Sequence, residues 1–421
     1  MTCVTGIHSK DIITQSEAWQ EPSWLTAHRK HAWNAYAQAA VPPSTAEAWK
    51  YTNLERLAGW EQAEWPSRDA ADITTDRTTA LPSSVIACDL AEAIQQHPEL
   101  VRRYLTDQKT RQEFSGTNGQ PYGGLRYLYQ QEALWDRGFF LYVPRGVEVT
   151  LPIHAYITCT GAGAAIFPRT IIVLEENARL TYVEEFRSHP ALQELATCHA
   201  RAELYVGAGS RLQYVSIQRW HDQMRHVSHQ HATVDRDAHF TSLAVTLGGH
   251  LVKTITESQL TAPGAESLLF GLTFADGAQH VDHHTLQTHL APHTTSDLLF
   301  KAALKDRAKA IYTGLIRMTE TAQHGAAYQA SRNLMLSETC QANAIPQLEI
   351  AANEVKCSHG ATMGPVDRNQ LYYLMTRGLS RAEAEQMLAA GFFEELITKI
   401  PDPQMIELVR EAIAKKLGAT Q

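Results

Sequence analysis

The stretch "VPRGVEVT" (residues 143–150) returns three times in altered form, as "LEENARLT" (174–181), "VGAGSRLQ" (206–213) and "VDRDAHFT" (234–241). Each copy runs from an apolar residue to a turn residue three positions on, then to a second apolar residue three positions later. The turn residues are Gly146, Asn177, Gly209 and Asp237, spaced 31, 32 and 28 apart. Glycine, asparagine and aspartate are the residues that tolerate left-handed or tight-turn backbone. The segments between them alternate and are rich in β-branched and aromatic residues, as in "FFLYVPRGVEVTLPIHAYITC" (139–159). A strand–turn–strand unit with no helix between copies cannot bury its apolar face alone. Stacked copies can, which is the logic of a β-solenoid. A sandwich or jelly roll is the alternative. The β pattern continues, less cleanly, to about Ile350.

Helical periodicity flanks this core. "PSWLTAHRKHAWNAYAQAA" (22–40) sets Trp24, Leu25, His28, Ala32 and Tyr36 at helical spacing and stops at Pro42-Pro43. Ser44 with Glu47 predicts a capping box for a second helix. Residues 61–82 are polar and read as a loop, and "CDLAEAIQQHPELVRRYL" (88–105) reads as helix. After the core, Leu371, Leu374 and Met375 share a face, and Ser380 with Glu383 forms a capping box. Asp402-Pro403 opens a final helix that Gly418 closes. Such helices either cap the solenoid's open edge or dock a partner. The expected domains are 1–85 (helical), 86–352 (the β core, with a mixed entry to about 137) and 353–421 (helical).

The chain has 421 residues, 44% hydrophobic and 19% charged, with a formal net charge of −8. This composition suits a folded protein of two or three domains. No basic run suggests nucleic acid or an anionic membrane as partner. No apolar stretch reaches the roughly 20 residues that span a bilayer, and the start lacks a signal pattern, so a cytoplasmic location is expected. Six cysteines without a CxxC indicate neither a disulfide framework nor a structural zinc site.

Two groups of residues suggest chemistry. His280, Asp282 and His284 fall at alternate strand positions, a spacing able to build a metal site for a hydrolase or lyase on a concave face. The second group is Cys357 and His359 in "EVKCSHGATMGPVD" (354–367). Thiolate and imidazole ligate iron or an iron–sulfur cluster well, but two ligands are too few, so the others must come from another chain. The structural alternative is a buried thiol beside an ordinary polar residue. No GxSxG, HExxH or GxGxxG occurs, and "LGGHLVKT" (247–254) lacks the glycine before lysine that a phosphate loop needs.

The stretch 354–367 resembles the SufB/SufD family, the scaffold subunits of the SUF iron–sulfur cluster assembly machine. "AWKYTNLERL" (48–57), "FFLYVPRGVEV" (139–149), residues 279–316, "SRNLMLSE" (331–338), "PQLEI" (346–350) and "LYYLMTRGLSRAEAEQML" (371–388) share the resemblance. The "WKYT" motif, the length and the lack of an N-terminal cysteine cluster are similar to the SufD branch. The resemblance implies a right-handed parallel β-helix between two helical domains and a non-catalytic scaffold role. It implies pairing with a SufB-like subunit, and a SufC-like ATPase docked on the C-terminal helices around Leu371, Leu374, Leu379, Met387, Phe392 and Phe393. His359, with Cys357 as the weaker candidate, would hold metal transiently at the interface. No cofactor is expected to bind this chain tightly: the cluster is transient, ATP acts through the partner, and flavin is left open. Independently of the resemblance, strand ends in the last coils could pair two copies of the isolated chain into a homodimer across a two-fold axis, an alternative left open beside the heterodimer. Asn353-Glu354 stands where the family usually has an acidic pair, and Ile345 where lysine is common.

Overall fold

A computed structural model describes residues 9–52, 70–76, 81–106, 125–161, 164–192 and 194–418. Within them the chain winds into a parallel β-solenoid of about eight coils. Each coil gives one strand to a 9-stranded sheet and one to a 10-stranded sheet. Gly146, Asn177, Gly209 and Asp237 have φ of 71°, 59°, 66° and 53°, so the four turn residues read from the repeat are all left-handed. Gly264, His293 and His324 continue the series with φ of 76°, 58° and 61°. Asparagine and aspartate bond locally to stabilise this conformation and glycine has no Cβ to oppose it; His293 and His324 are instead held by a ring stack 4.9 Å between centroids.

Parallel in-register pairing places alike positions of successive coils on the same side. The lumen between the sheets takes Leu141, Leu204, Phe240, Leu298 and Phe300 into one buried cluster. Polar groups also line it. Glu184 accepts from Thr170 and Tyr214 at 2.5 and 2.6 Å, and Gln230 Nε2 donates to Ser242 at 3.0 Å. Burial raises the Glu184 pKa and lowers that of His226 to about 3.

The outer face of each sheet is covered by helices. The 10-stranded sheet carries the N-terminal helices Ser23–Gln38, Leu90–Gln96, Pro98–Leu105 and Leu125–Leu134. Buried ion pairs lie beneath them: Arg169 with Glu203 at 2.8 Å, and Arg201 with both Glu203 at 2.8 Å and Glu132 at 2.9 Å. Burial alone would raise the Glu203 pKa, but the two guanidinium groups outweigh it and hold the carboxylate charged. The 9-stranded sheet carries the helices Arg381–Ile397 and Pro403–Leu417, whose Phe393, Leu396, Val409 and Ile413 pack on Phe270, Leu272 and Phe274. These helices therefore cover a sheet face rather than the open edge. The capping box at Ser380, the aspartate cap at Asp402 and the left-handed Gly418 stand as read.

Several expectations change. Residues 44–52 form turns rather than a second helix, because Trp49 and Thr52 are drawn onto the sheet. Ala71–Asp76 is a strand inside the expected loop, paired antiparallel with Ile153–Cys159, a long-range contact that overrides its polar composition. The helix expected over 88–105 is two, broken at Pro98. Strands continue to Lys356–Pro365, past the boundary expected at 352. That strand is rich in glycine and small residues, and its pairing with Ala326–Met335 imposes the conformation. Cys3 and the "NLERL" stretch (53–57) after Thr52 lie outside the described residues.

Candidate functional site

The two ends of the solenoid differ. At the first end, short antiparallel strands finish both sheets: Ala71–Asp76 on Ile153–Cys159, and Ile86–Asp89 on Arg137–Val143. At the other end the sheets finish on Gln341–Ile350 and Lys356–Pro365, each hydrogen-bonded to one neighbouring strand among the described residues. Pro346 is tolerated there because an edge strand can spare an N–H. Two ten-residue strands with free edges at one end are a template for pairing with another chain.

Cys357 and His359 lie on that last strand. They pair in register with Ala327 and Gln329, and Gln329 is buried and reaches across the lumen to the carbonyls of Gly314 and Gln347 at 3.3 and 3.4 Å. Cys357, His359, Ala361 and Met363 thus continue lumen positions, but among the described residues no further coil covers them, and His359 and Met363 are exposed. Cys357 is half-buried and lines an open groove with Asp297, Tyr328 and Lys356. Burial pushes its thiol up from the ordinary value, so it is a weaker nucleophile than a free cysteine at neutral pH. His359 offers an accessible imidazole. Among the described residues no cluster of three or more metal-ligating side chains forms, so these two are an incomplete set within this chain.

The comparison with known proteins fits this geometry. The chain matches a family model described as SUF system FeS cluster assembly, SufBD core domain, over residues 157–392. The chain belongs to the SufBD family. Residues 68–155 also match the SufBD protein N-terminal region. An iron–sulfur cluster assembly SufBD family protein of Mycobacterium leprae is 27% identical over 402 residues, covering 90% of this chain and 92% of its own length. The iron–sulfur cluster assembly protein SufB of Bacillus subtilis is 28% identical over 285 residues, 68% of this chain and 61% of its own. A SufBD family protein of Staphylococcus epidermidis is 26% identical over 326 residues, 77% of this chain and 68% of its own.

The alternative site does not form a groove in this SufBD chain. His280, Asp282 and His284 do share a face, but it is the outer face of the 10-stranded sheet, and all three are buried. Lys253 Nζ lies 2.7 Å from Asp282 Oδ2 and His284 Nε2 lies 2.8 Å from Oδ1; Thr52 also donates to this carboxylate. The ammonium sits 4.9 Å from the centroid of the Trp49 ring. Burial opposes ionisation of Asp282, yet Lys253 and His284 outweigh it and hold the carboxyl well below the usual range. A carboxylate so engaged under a tryptophan has no access to substrate. "WKYT" is thus the buckle that fastens the N-terminal segment to the solenoid. Sequence reasoning missed that role, because the partners lie more than 200 positions away.

The six residues named for partner docking separate. Leu371 and Phe393 are buried, Leu374, Leu379 and Phe392 are half-buried, and Met387 is 53% exposed. Tyr372 and Tyr373, which the apolar periodicity did not single out, are exposed beside them, as is Met375. No helix among the described residues is long and apolar enough to cross a membrane.

Proposed function

We propose that this chain is a non-catalytic scaffold subunit of the SufD kind. It pairs with a SufB-like subunit through the free edges of Gln341–Ile350 and Lys356–Pro365. The observation that carries this reading is the asymmetry of the rod: one end finishes on short antiparallel strands, and the other on two ten-residue parallel edge strands with Cys357 and His359 at the mouth of the lumen. A second solenoid docked there continues both sheets and brings the ligands that this chain lacks. His359 then acts as a transient ligand to the nascent cluster, which is cargo. Cys357, with its raised pKa, is the lesser contributor.

A SufC-like ATPase docks on the C-terminal helices. Tyr372, Tyr373, Met375 and Met387 provide the exposed apolar surface, while Leu371 and Phe393 shape it from beneath. Arg368 and Arg377 are exposed in the same segment, while Arg381 is paired with Glu385 at 2.9 Å; the first two favour a partner with acidic groups. ATP chemistry belongs to that partner. The isolated chain, with the same edges free, pairs with itself across a two-fold axis.

Pairing is tested by co-purification with a SufB-like chain. Met363→Arg places a charge at the open mouth without touching the covered core. The reading expects loss of the complex with the melting temperature of this chain preserved. Retained pairing would contradict it.

A further inference from the structure

The lumen changes character part-way along the rod. Over the coils that run from Arg179–Ser188 to Leu251–Leu260, small residues stack in register on both sheets. Glu184, Ser216 and Ala244 form one column, and Ala200, Ser228 and Thr254 form another across the lumen. All six line one cavity. Ser216, Ser228, Ala244 and Thr254 are only half-buried, although each faces the lumen and has a strand stacked on either side. Their free surface therefore lies inside the rod. The cavity gives about 40 Å³ of space to water centres. One water needs about 10–15 Å³ of such space, so there is room for about three.

Polar or bulky groups bound this chamber along the rod. Toward the first end stands Glu184, whose carboxylate accepts from Thr170 and Tyr214 at 2.5 and 2.6 Å. Toward the other end, Gly271 follows Ala244 in its column, and the Phe300 ring takes the space: a Cβ on Gly271 would lie 2.2 Å from it. His283 follows Thr254, bonds to it and to Thr273, the latter at 3.1 Å, and packs 5.4 Å from the same ring. The chamber is thus separate from the mouth that carries Cys357 and His359.

His226 lines the chamber beside Ser228. Its ring is wedged against Phe186 and Trp220, with centroids 5.1 and 5.9 Å away, and its Nδ1 has no hydrogen-bond partner among the described residues. A buried polar atom left unpaired is costly, and native structures satisfy such atoms with protein or with ordered water. Apolar cavities stay dry, whereas one ringed by hydrogen-bonding groups fills. Ser216, Ser228, Thr254 and Thr256 bring hydroxyls to this wall, and a hydroxyl can donate and accept.

We infer that the middle coils hold a resident cluster of about three water molecules, anchored at His226 Nδ1 and at the hydroxyls of Ser216 and Ser228. The cluster links the two sheets where small side chains cannot meet, as Leu204 and Phe240 do by direct packing elsewhere in the lumen. The site belongs to this chain alone and does not depend on the scaffold reading.

The test is a high-resolution crystal structure of the full-length chain, with a second crystal pressurised with xenon. Ordered water within about 3 Å of His226 Nδ1, and no xenon in the chamber, are expected. An empty chamber, or xenon inside it, overturns the inference, because a dry cavity is the kind that takes xenon. Urea unfolding of Ala244→Ser and Ala244→Val gives an independent reading. Valine has the higher strand propensity and fills a void, so with a dry chamber it is the more stable of the two. Displacing water from His226 reverses that order, and Ala244→Val is expected to show the lower urea midpoint. A valine midpoint equal to or above that of serine overturns the inference.

Discussion

Gln329 and His359 occupy paired positions on neighbouring strands and face the same lumen, yet one is covered and the other exposed. The same side-chain column changes character because the solenoid stops. Inside the stack a polar group must find protein partners, and Gln329 does so across the lumen. At the last coil the partners have to come from another molecule. The site of this SufBD chain is therefore a consequence of where the stacking ends.

Lumen packing beneath the site is tight. A Cβ on Gly314 would lie 2.2 Å from Tyr312 Oη and 2.6 Å from Gln329 Oε1. Gly314→Ala is expected to cost about 1–3 kcal/mol of stability. Adding it to Tyr312→Phe, which removes the nearer atom, should cost clearly less than adding it to the natural chain. Chemical denaturation of the two pairs checks this.

Acid should destabilise the fold well above the carboxylate range. Burial lowers the pKa of His226 and His229 to about 3, and of His283 and His289 to about 4. In the unfolded chain each takes up a proton near pH 6.5. The unfolded state thus binds more protons between these values, so stability is full above about pH 6.5 and declines as pH falls toward 4. Each histidine contributes up to about 1.4 kcal/mol per pH unit in that window. The urea midpoint at pH 5 should lie well below that at pH 7.5; equal midpoints would refute the burial of these rings. Asp282, whose pKa is depressed, adds its loss only below about pH 4.

Breaking the buckle from one side should be severe. Lys253→Met leaves the Asp282 carboxylate buried without its ammonium and is expected to cost about 3–5 kcal/mol. The double variant Lys253→Met, Asp282→Leu should recover part of that loss, since no lone charge remains. Thermal unfolding of the single and double variants distinguishes the two, and a double variant no better than the single would argue against an uncompensated charge as the cause.

Much of this architecture was legible in the residues. The left-handed corner at Gly146, Asn177, Gly209 and Asp237 marks the repeat directly, because a local backbone need selects those side chains. The same holds for the helix caps at Ser380 and Asp402. The strand Lys356–Pro365 was harder, since its conformation comes from its neighbour rather than from its own small residues. The histidines at 280 and 284 share a face as their spacing requires, but spacing does not say which face, nor that Trp49 would cover it. Cys357 and His359 stand out locally as a thiol–imidazole pair, and the family resemblance ranks His359 first. Its exposure at an uncapped end is a property of the whole stack that no local pattern carries.

The central claim is that this chain supplies an incomplete ligand set that a partner completes. The most direct measurement is cluster reconstitution, followed by visible absorbance, in the complex purified with SufB-like and SufC-like partners and carrying His359→Ala. The account predicts an intact complex with cluster formation reduced roughly tenfold or more, the scale expected when a metal ligand is removed. A His359→Ala complex that assembles cluster at the unaltered rate and yield would contradict it.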